Sequence, residues 1–114
     1  MKGDVGLRAK AAYDAGQRDA LRVLAEETLP ALRDAFAALH AVHRELWMRT
    51  YKPFGWEVLD LRYGGARARV EAAIERLSVY LRREVDVIEE LEQERLFFDE
   101  RCNQYRRIVT TSYL

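Results

Sequence analysis

An apolar stripe that passes through two adjacent glycines without losing phase is the strongest constraint in this sequence. Leu59, Tyr63, Ala66, Val70, Ile74, Leu77 and Leu81 follow one another at spacings of four or three residues. That is the period of one helix face. Gly64-Gly65 lie inside the run. Together they cost an isolated helix roughly 2 kcal/mol relative to alanine, and a break there would shift the stripe. The phase is kept, so the spacing predicts one long helix over Trp56–Leu81. Close approach of another backbone, where no side chain fits, is the expected reason for the glycines. A kink, or two shorter helices, is the alternative.

The flanking segments extend the helical reading. Only six Gly and two Pro occur in 114 residues, a composition that favours long helices. Asp4 to Glu27 reads as helix with a loose stripe of Leu7, Ala11, Ala15, Leu21, Leu24 and Ala25, weakened at Gly16. Thr28-Leu29-Pro30 reads as a helix boundary, with Thr28 as cap and Pro30 in the next first turn. Leu32, Phe36, Leu39, His43 and Leu46 then form a seam to about Met48, and Lys52-Pro53-Phe54-Gly55 ends it. Arg82-Arg83 places positive charge at the end of the long helix, which suits its dipole. Asp86-Val87-Ile88-Glu89 has the spacing of a capping box for a fourth helix ending near Phe97. Tyr105 to Tyr113 is rich in β-branched and aromatic residues and suits an extended segment. The expected architecture is therefore all-α: an antiparallel bundle of about four helices with an extended C-terminal tail. The second and third helices are the longest, joined by a turn at Lys52–Trp56. Residues 1–114 form a single domain, with an ordered core over about 20–98 and the tail at 99–114.

Composition excludes several classes. Nineteen Lys+Arg balance nineteen Asp+Glu, which argues against a nucleic-acid binder and against an electrostatic route to anionic membranes. No apolar run is long enough to span a bilayer, and Met1-Lys2-Gly3-Asp4 lacks the apolar stretch of a secretory signal. Cys102 is the only cysteine, so no intramolecular disulfide and no oxidising compartment are implied. These features point to the cytoplasm. The chain is also shorter than a (β/α)8 barrel, which needs about 200 residues.

Candidate chemistry is sparse. His40 and His43 share a helix face and are the only candidate metal ligands. No third ligand is evident beyond the nearby Glu45, and neither histidine sits in a Glu-x-x-His pair. His43, on the apolar seam, reads better as a hydrogen-bonded packing residue. No cofactor and no metal are therefore assigned. Asp99-Glu100 is an adjacent carboxylate pair, but no barrel strand precedes it, and a solvated or ion-paired surface is the preferred reading. Cys102 lacks an activating partner, and Gly64-Gly65 lacks the flanking pattern of a phosphate loop. No catalytic residue is assigned. The acidic run from Asp86 to Glu94 is expected to face Arg62, Arg67, Arg69 and Arg76. Trp47, Tyr51, Phe54, Trp56 and Tyr63 cluster around the second turn. They read either as a hydrophobic plug between two helices or as an exposed anchor for a partner. Leu39, His43, Trp47, Phe54, Leu59, Tyr63, Gly64 and Gly65 are the expected packing residues, and Arg62 an ion-pair or interface residue.

The stretch His43-Arg44-Glu45-Leu46-Trp47, then Tyr51-Lys52-Pro53-Phe54-Gly55-Trp56-Glu57-Val58-Leu59-Asp60-Leu61-Arg62-Tyr63-Gly64-Gly65, resembles a known family. So do Ala73-Ile74-Glu75-Arg76-Leu77, Tyr80-Leu81, Ile88-Glu89-Glu90-Leu91-Glu92 and the ending Arg107-Ile108-Val109-Thr110. The resemblance is to the helical C-terminal region of bacterial β-N-acetylhexosaminidases of glycoside hydrolase family 20, and it covers roughly Leu24 to Thr111. Those enzymes cleave terminal N-acetylhexosamine. The substrate's acetamido group is the nucleophile, assisted by an Asp-Glu pair on a (β/α)8 barrel. This chain has no His-x-Gly-x-Asp-Glu context, so Asp99-Glu100 does not inherit that role. The resemblance implies a non-catalytic accessory domain, a C-terminal fragment of a larger enzyme. It would pack on its catalytic barrel and support a homodimer, with no nucleic-acid or membrane partner. A stand-alone helical interaction protein, or a small metal- or ligand-binding bundle built on His40 and His43, is the competing reading.

Overall fold

The computed structural model describes residues 2–93. The expected tail at 99–114, the carboxylate pair Asp99-Glu100, Cys102 and the C-terminal limits of the core and of the fourth helix lie outside them. The described residues are all-α. The elements are α1 (Lys2–Asp14), α2 (Arg18–Val23), a π turn (Leu24–Thr28), α3 (Leu29–Thr50), α4 (Trp56–Leu81) and the single turn α5 (Glu89–Glu92).

The expected boundary at Thr28-Leu29-Pro30 is not a break. Thr28 has helical dihedrals and makes no side-chain cap, so α2, the π turn and α3 form one rod. Proline explains the wider turn. Pro30 has no N–H to give the Glu26 carbonyl, and its ring crowds that carbonyl. Just before it, Leu29 N–H bonds five residues back, to Leu24 O. That extra residue relaxes the helix where the ladder is broken.

The true break is at Gly16. Its φ of +65° lets α1 close with Gly16 N–H to Tyr13 O (3.0 Å) and Gln17 N–H to Ala12 O (2.8 Å), a Schellman ending. α1 then folds back on its own phase. Val5 and Ala12 enter the core while Leu7 stays exposed, which corrects the stripe expected through Leu7 and Ala15. The packed core thus reaches back to Val5, ahead of the expected start near residue 20. α4 ends in the same bonding pattern, with Arg83 N–H to Tyr80 O and Glu84 N–H to Val79 O. Here Arg83 itself takes the left-handed conformation, φ 61°.

α4 matches the expected span residue for residue. Ala66, Val70 and Leu77 of its stripe are buried, and Leu59, Tyr63, Ile74 and Leu81 are half-buried. The fourth helix is shorter than expected. Ile88 stands at the N-cap position of α5, and no side chain caps it, so the Asp86 capping box does not form. Ile88 is instead buried and held by its N–H to the Tyr13 hydroxyl (3.3 Å), while that hydroxyl donates to Glu92 Oε1 (2.7 Å). The bond to Glu92 raises the Tyr13 hydroxyl above the usual phenol range, since ionisation would remove the donor.

Pairs such as Arg18 with Tyr80, His40 with Tyr63 and Trp47 with Trp56 show that the rod runs antiparallel to α4 along its whole length. The aliphatic core sits at one end. Leu21, Leu24, Ala25, Leu29 and Leu32 of the rod meet Val70 and Leu77 of α4, with Val5, Ala12 and Ile88 closing the sides. Each such side chain contributes about 1.5–3 kcal/mol when fully buried. Arg18 fastens this end. Its guanidinium donates to the Tyr80 and Leu81 carbonyls in the last turn of α4 (2.8 and 3.2 Å), and lies 4.7 Å from the Tyr80 ring centre.

The two glycines at 16 and 64 separate two physical roles. A Cβ on Gly64 would meet nothing within 4 Å, whereas Gly16 needs its positive φ. Close backbone approach therefore does not account for Gly64, contrary to expectation. Gly64→Ala is expected to stabilise the chain by about 1 kcal/mol through helix propensity. Gly16→Ala should cost about 1–2 kcal/mol. Urea denaturation of the two variants checks the opposite signs.

Candidate functional site

Beyond Leu32 and Val70 the helix pair changes character. The face of α3 that meets α4 is built from Phe36, His40, His43 and Trp47 rather than from aliphatic residues. His40 stacks on Tyr63, with ring centres 4.7 Å apart, and lies nearly parallel to Trp56 at 5.7 Å. His43 meets Trp56 and Tyr63 edge to face at 5.2 and 5.9 Å. Trp47 closes the end against Trp56 and Tyr51 at 5.8 and 4.9 Å.

Each histidine is also tied across the interface. His40 Nε2 lies 2.7 Å from Asp60 Oδ1, and His43 Nδ1 lies 2.9 Å from the Tyr63 hydroxyl. The rings are thus directed at different residues of α4. Among the described residues no three His, Cys, Asp or Glu side chains come together as a metal-ligand group.

The turn is held from inside. Trp47 Nε1–H donates to Lys52 O at 2.9 Å, and Trp56 N–H donates to Pro53 O at 3.2 Å. Gly55 enters α4 with φ 93°, and its N–H donates to the Glu57 carboxylate at 2.9 Å. Trp56 is 3% exposed, and its indole N–H finds no acceptor among the described residues.

The cluster divides into a buried part and an exposed part. Trp56 is a plug, with His43, Trp47 and Tyr63 half-buried around it. Tyr51 is exposed, and Phe54 at the turn is 88% exposed, so Phe54 is not a packing residue of this chain. Gly64 is exposed as well, while Gly65 and Arg62 are half-buried on α4. Of the charged pairs expected between the acidic run and the α4 arginines, Arg76 with Glu90 forms, at 2.9 Å. The hydrogen bond from Arg76 holds the Glu90 carboxyl below the usual glutamate range.

The surface that sequence reasoning missed is aliphatic. Leu39 and Leu46 belong to the expected inward seam, yet they face out with Val42, which is 64% exposed. Ala35 and Ala38 continue the line. On α4, Leu61 is 72% exposed and Val58 is exposed beside it. The signal in the sequence was the width of the apolar pattern. Val42 and Leu61 fall outside either seam, and α3 carries more apolar positions than one face can bury. An amphipathic helix folding alone turns its aliphatic side inward. Beyond Leu32, α3 turns its histidines inward and Leu39 and Leu46 outward.

Comparison with known families identifies the chain's family. A model of the Glycoside Hydrolase 20C C-terminal domain matches residues 1–110. The chain belongs to that family. No curated protein sequence matches it. The family makes the chain an accessory domain of a glycoside hydrolase, attached to a family 20 catalytic domain. No described helix of this C-terminal domain is long and apolar enough to cross a membrane.

The hairpin geometry makes a graded prediction. Trp56→Ala should cost about 3–5 kcal/mol, as for other buried aromatics. Tyr63→Phe, which removes one hydrogen bond to His43, should cost about 0.5–1.5 kcal/mol. Phe54→Ala should change stability by less than about 0.5 kcal/mol. Thermal unfolding of the three variants tests the order.

Proposed function

We propose that this C-terminal domain is the non-catalytic helical module of a β-N-acetylhexosaminidase. In this reading it packs on the (β/α)8 catalytic barrel and pairs subunits through the distal half of its long helix pair. The observation that supports the reading is the outward aliphatic line of Leu39, Val42 and Leu46 beside the exposed aromatics Tyr51 and Phe54. Contiguous apolar surface of this kind is costly in water and marks a protein interface. Aromatic side chains at its end are the residue type that dominates interface energy. Catalysis is assigned to the barrel. His40 and His43, the candidate ligands of the competing reading, are committed to Asp60 and Tyr63.

Two measurements test this. The purified chain should show no turnover of an aryl N-acetylglucosaminide, and measurable turnover would overturn the non-catalytic assignment. Sedimentation over a dilution series should show self-association that the double variant Val42→Asp/Leu46→Asp abolishes. Because both side chains are exposed, the variant's unfolding free energy should stay within about 0.5 kcal/mol of the wild type. A wild-type chain that stays monomeric throughout would remove the pairing role.

A further inference from the structure

The outward line of α3 has a finer pattern than its apolar character. Ala35, Leu39, Val42, Leu46 and Arg49 follow one another at spacings of four, three, four and three. All five are exposed, and Leu39, Val42 and Leu46 are each more than half exposed. This is the heptad spacing of a seam between two paired helices. The seam starts where the aliphatic core stops, because Leu32, one step earlier in the same series, is buried.

Size alternates along the line. Leu39 and Leu46 hold one heptad position, and the smaller Ala35 and Val42 hold the other, with Arg49 next in that second series. Laid on an identical helix in the same direction, like meets like. Leucine would stand on leucine, and alanine on alanine across a gap. Arg49 would face the Arg49 of the second copy, a like-charge contact that disfavours this direction.

Reversing one copy removes both faults. In an antiparallel pair the first heptad position packs against the second. Leu46 then meets Ala35 of the other copy and Leu39 meets Val42, larger on smaller, each contact made twice by symmetry. Alternating sizes across facing positions are what lets two layers interdigitate. At a rise of 1.5 Å per residue, the two Arg49 side chains stand about 25 Å apart, at opposite ends of the seam. There each keeps its own Glu45 partner at the exposed surface. A line that complements itself on reversal is what a two-fold interface between identical chains requires, and a different partner would not call for it.

We propose that two copies of this chain pair α3 against α3 in antiparallel direction, about a two-fold axis passing between Leu39 and Val42. The proposal rests on the subunit-pairing role above and adds its direction and register.

Disulfide trapping in the 114-residue chain carrying Cys102→Ser tests it, after sedimentation has established the oligomeric state. Two cysteines link when their Cα atoms come within about 7 Å. In the antiparallel register Leu46→Cys of one copy faces Ala35→Cys of another, whereas two copies of either single variant hold their cysteines about 16 Å apart along the helix. Each variant oxidised alone should therefore stay unlinked, and an equimolar mixture should give a covalent dimer. Both positions are exposed, so the fold is kept. Dimers in which either variant links to itself would overturn the antiparallel arrangement and leave the pairing role standing. So would dimers that link neither alone nor in the mixture. A chain that sediments as a monomer at every concentration would overturn the pairing role and this proposal together.

Discussion

The pairing of one continuous rod with α4 is the constraint on which the rest of the structure depends. A helix of 26 residues is about 39 Å long, too long to be held at one point. Two different chemistries hold it. At the base, aliphatic side chains are buried and Arg18 satisfies the terminal carbonyls of α4. At the tip, stacked histidine and aromatic rings do the same work with directional contacts. α1 and the 88–93 segment cover the base alone, so the outer faces of α3 and α4 near the tip stay open.

That division of labour explains why a small domain carries so much exposed apolar surface. A ring stack needs little width. Trp56 and Tyr63 fill the space between the helices, and Leu39 and Leu46 are then free to face outward. The same arrangement commits the two histidines. Each has one ring nitrogen directed to a residue of α4, which fits a structural seam better than a ligand set.

Much of the fold was legible in the sequence. The α4 stripe has a single phase and one inward face, so its limits at Trp56 and Leu81 came out as read. The turn at Lys52-Pro53-Phe54-Gly55 was legible because proline and glycine restrict the backbone locally. Thr28-Leu29-Pro30 misled, because proline is compatible both with a helix start and with a helix whose preceding turn widens. Gly16 was read as a weak point and is a break, because a glycine's preference for positive φ is not visible until the chain must reverse. The aromatic cluster was found, but its division into the buried Trp56 and the exposed Phe54 was not. Both residues flank the same turn, and only the packing says which one points in.

The sequence by itself determined the all-α class, the long helix α4 and the family, because these rest on periodicity, local backbone chemistry and residue pattern. Tertiary structure alone decided which of the two apolar lines on α3 is interior. Leu39 and Leu46 share the helical spacing of His40 and His43, and spacing is indifferent to rotation about the helix axis. What settles the rotation is the partner face. Asp60 and Tyr63 offer hydrogen bonds, and Trp56 and Tyr63 offer ring faces, that histidines can use and leucines cannot.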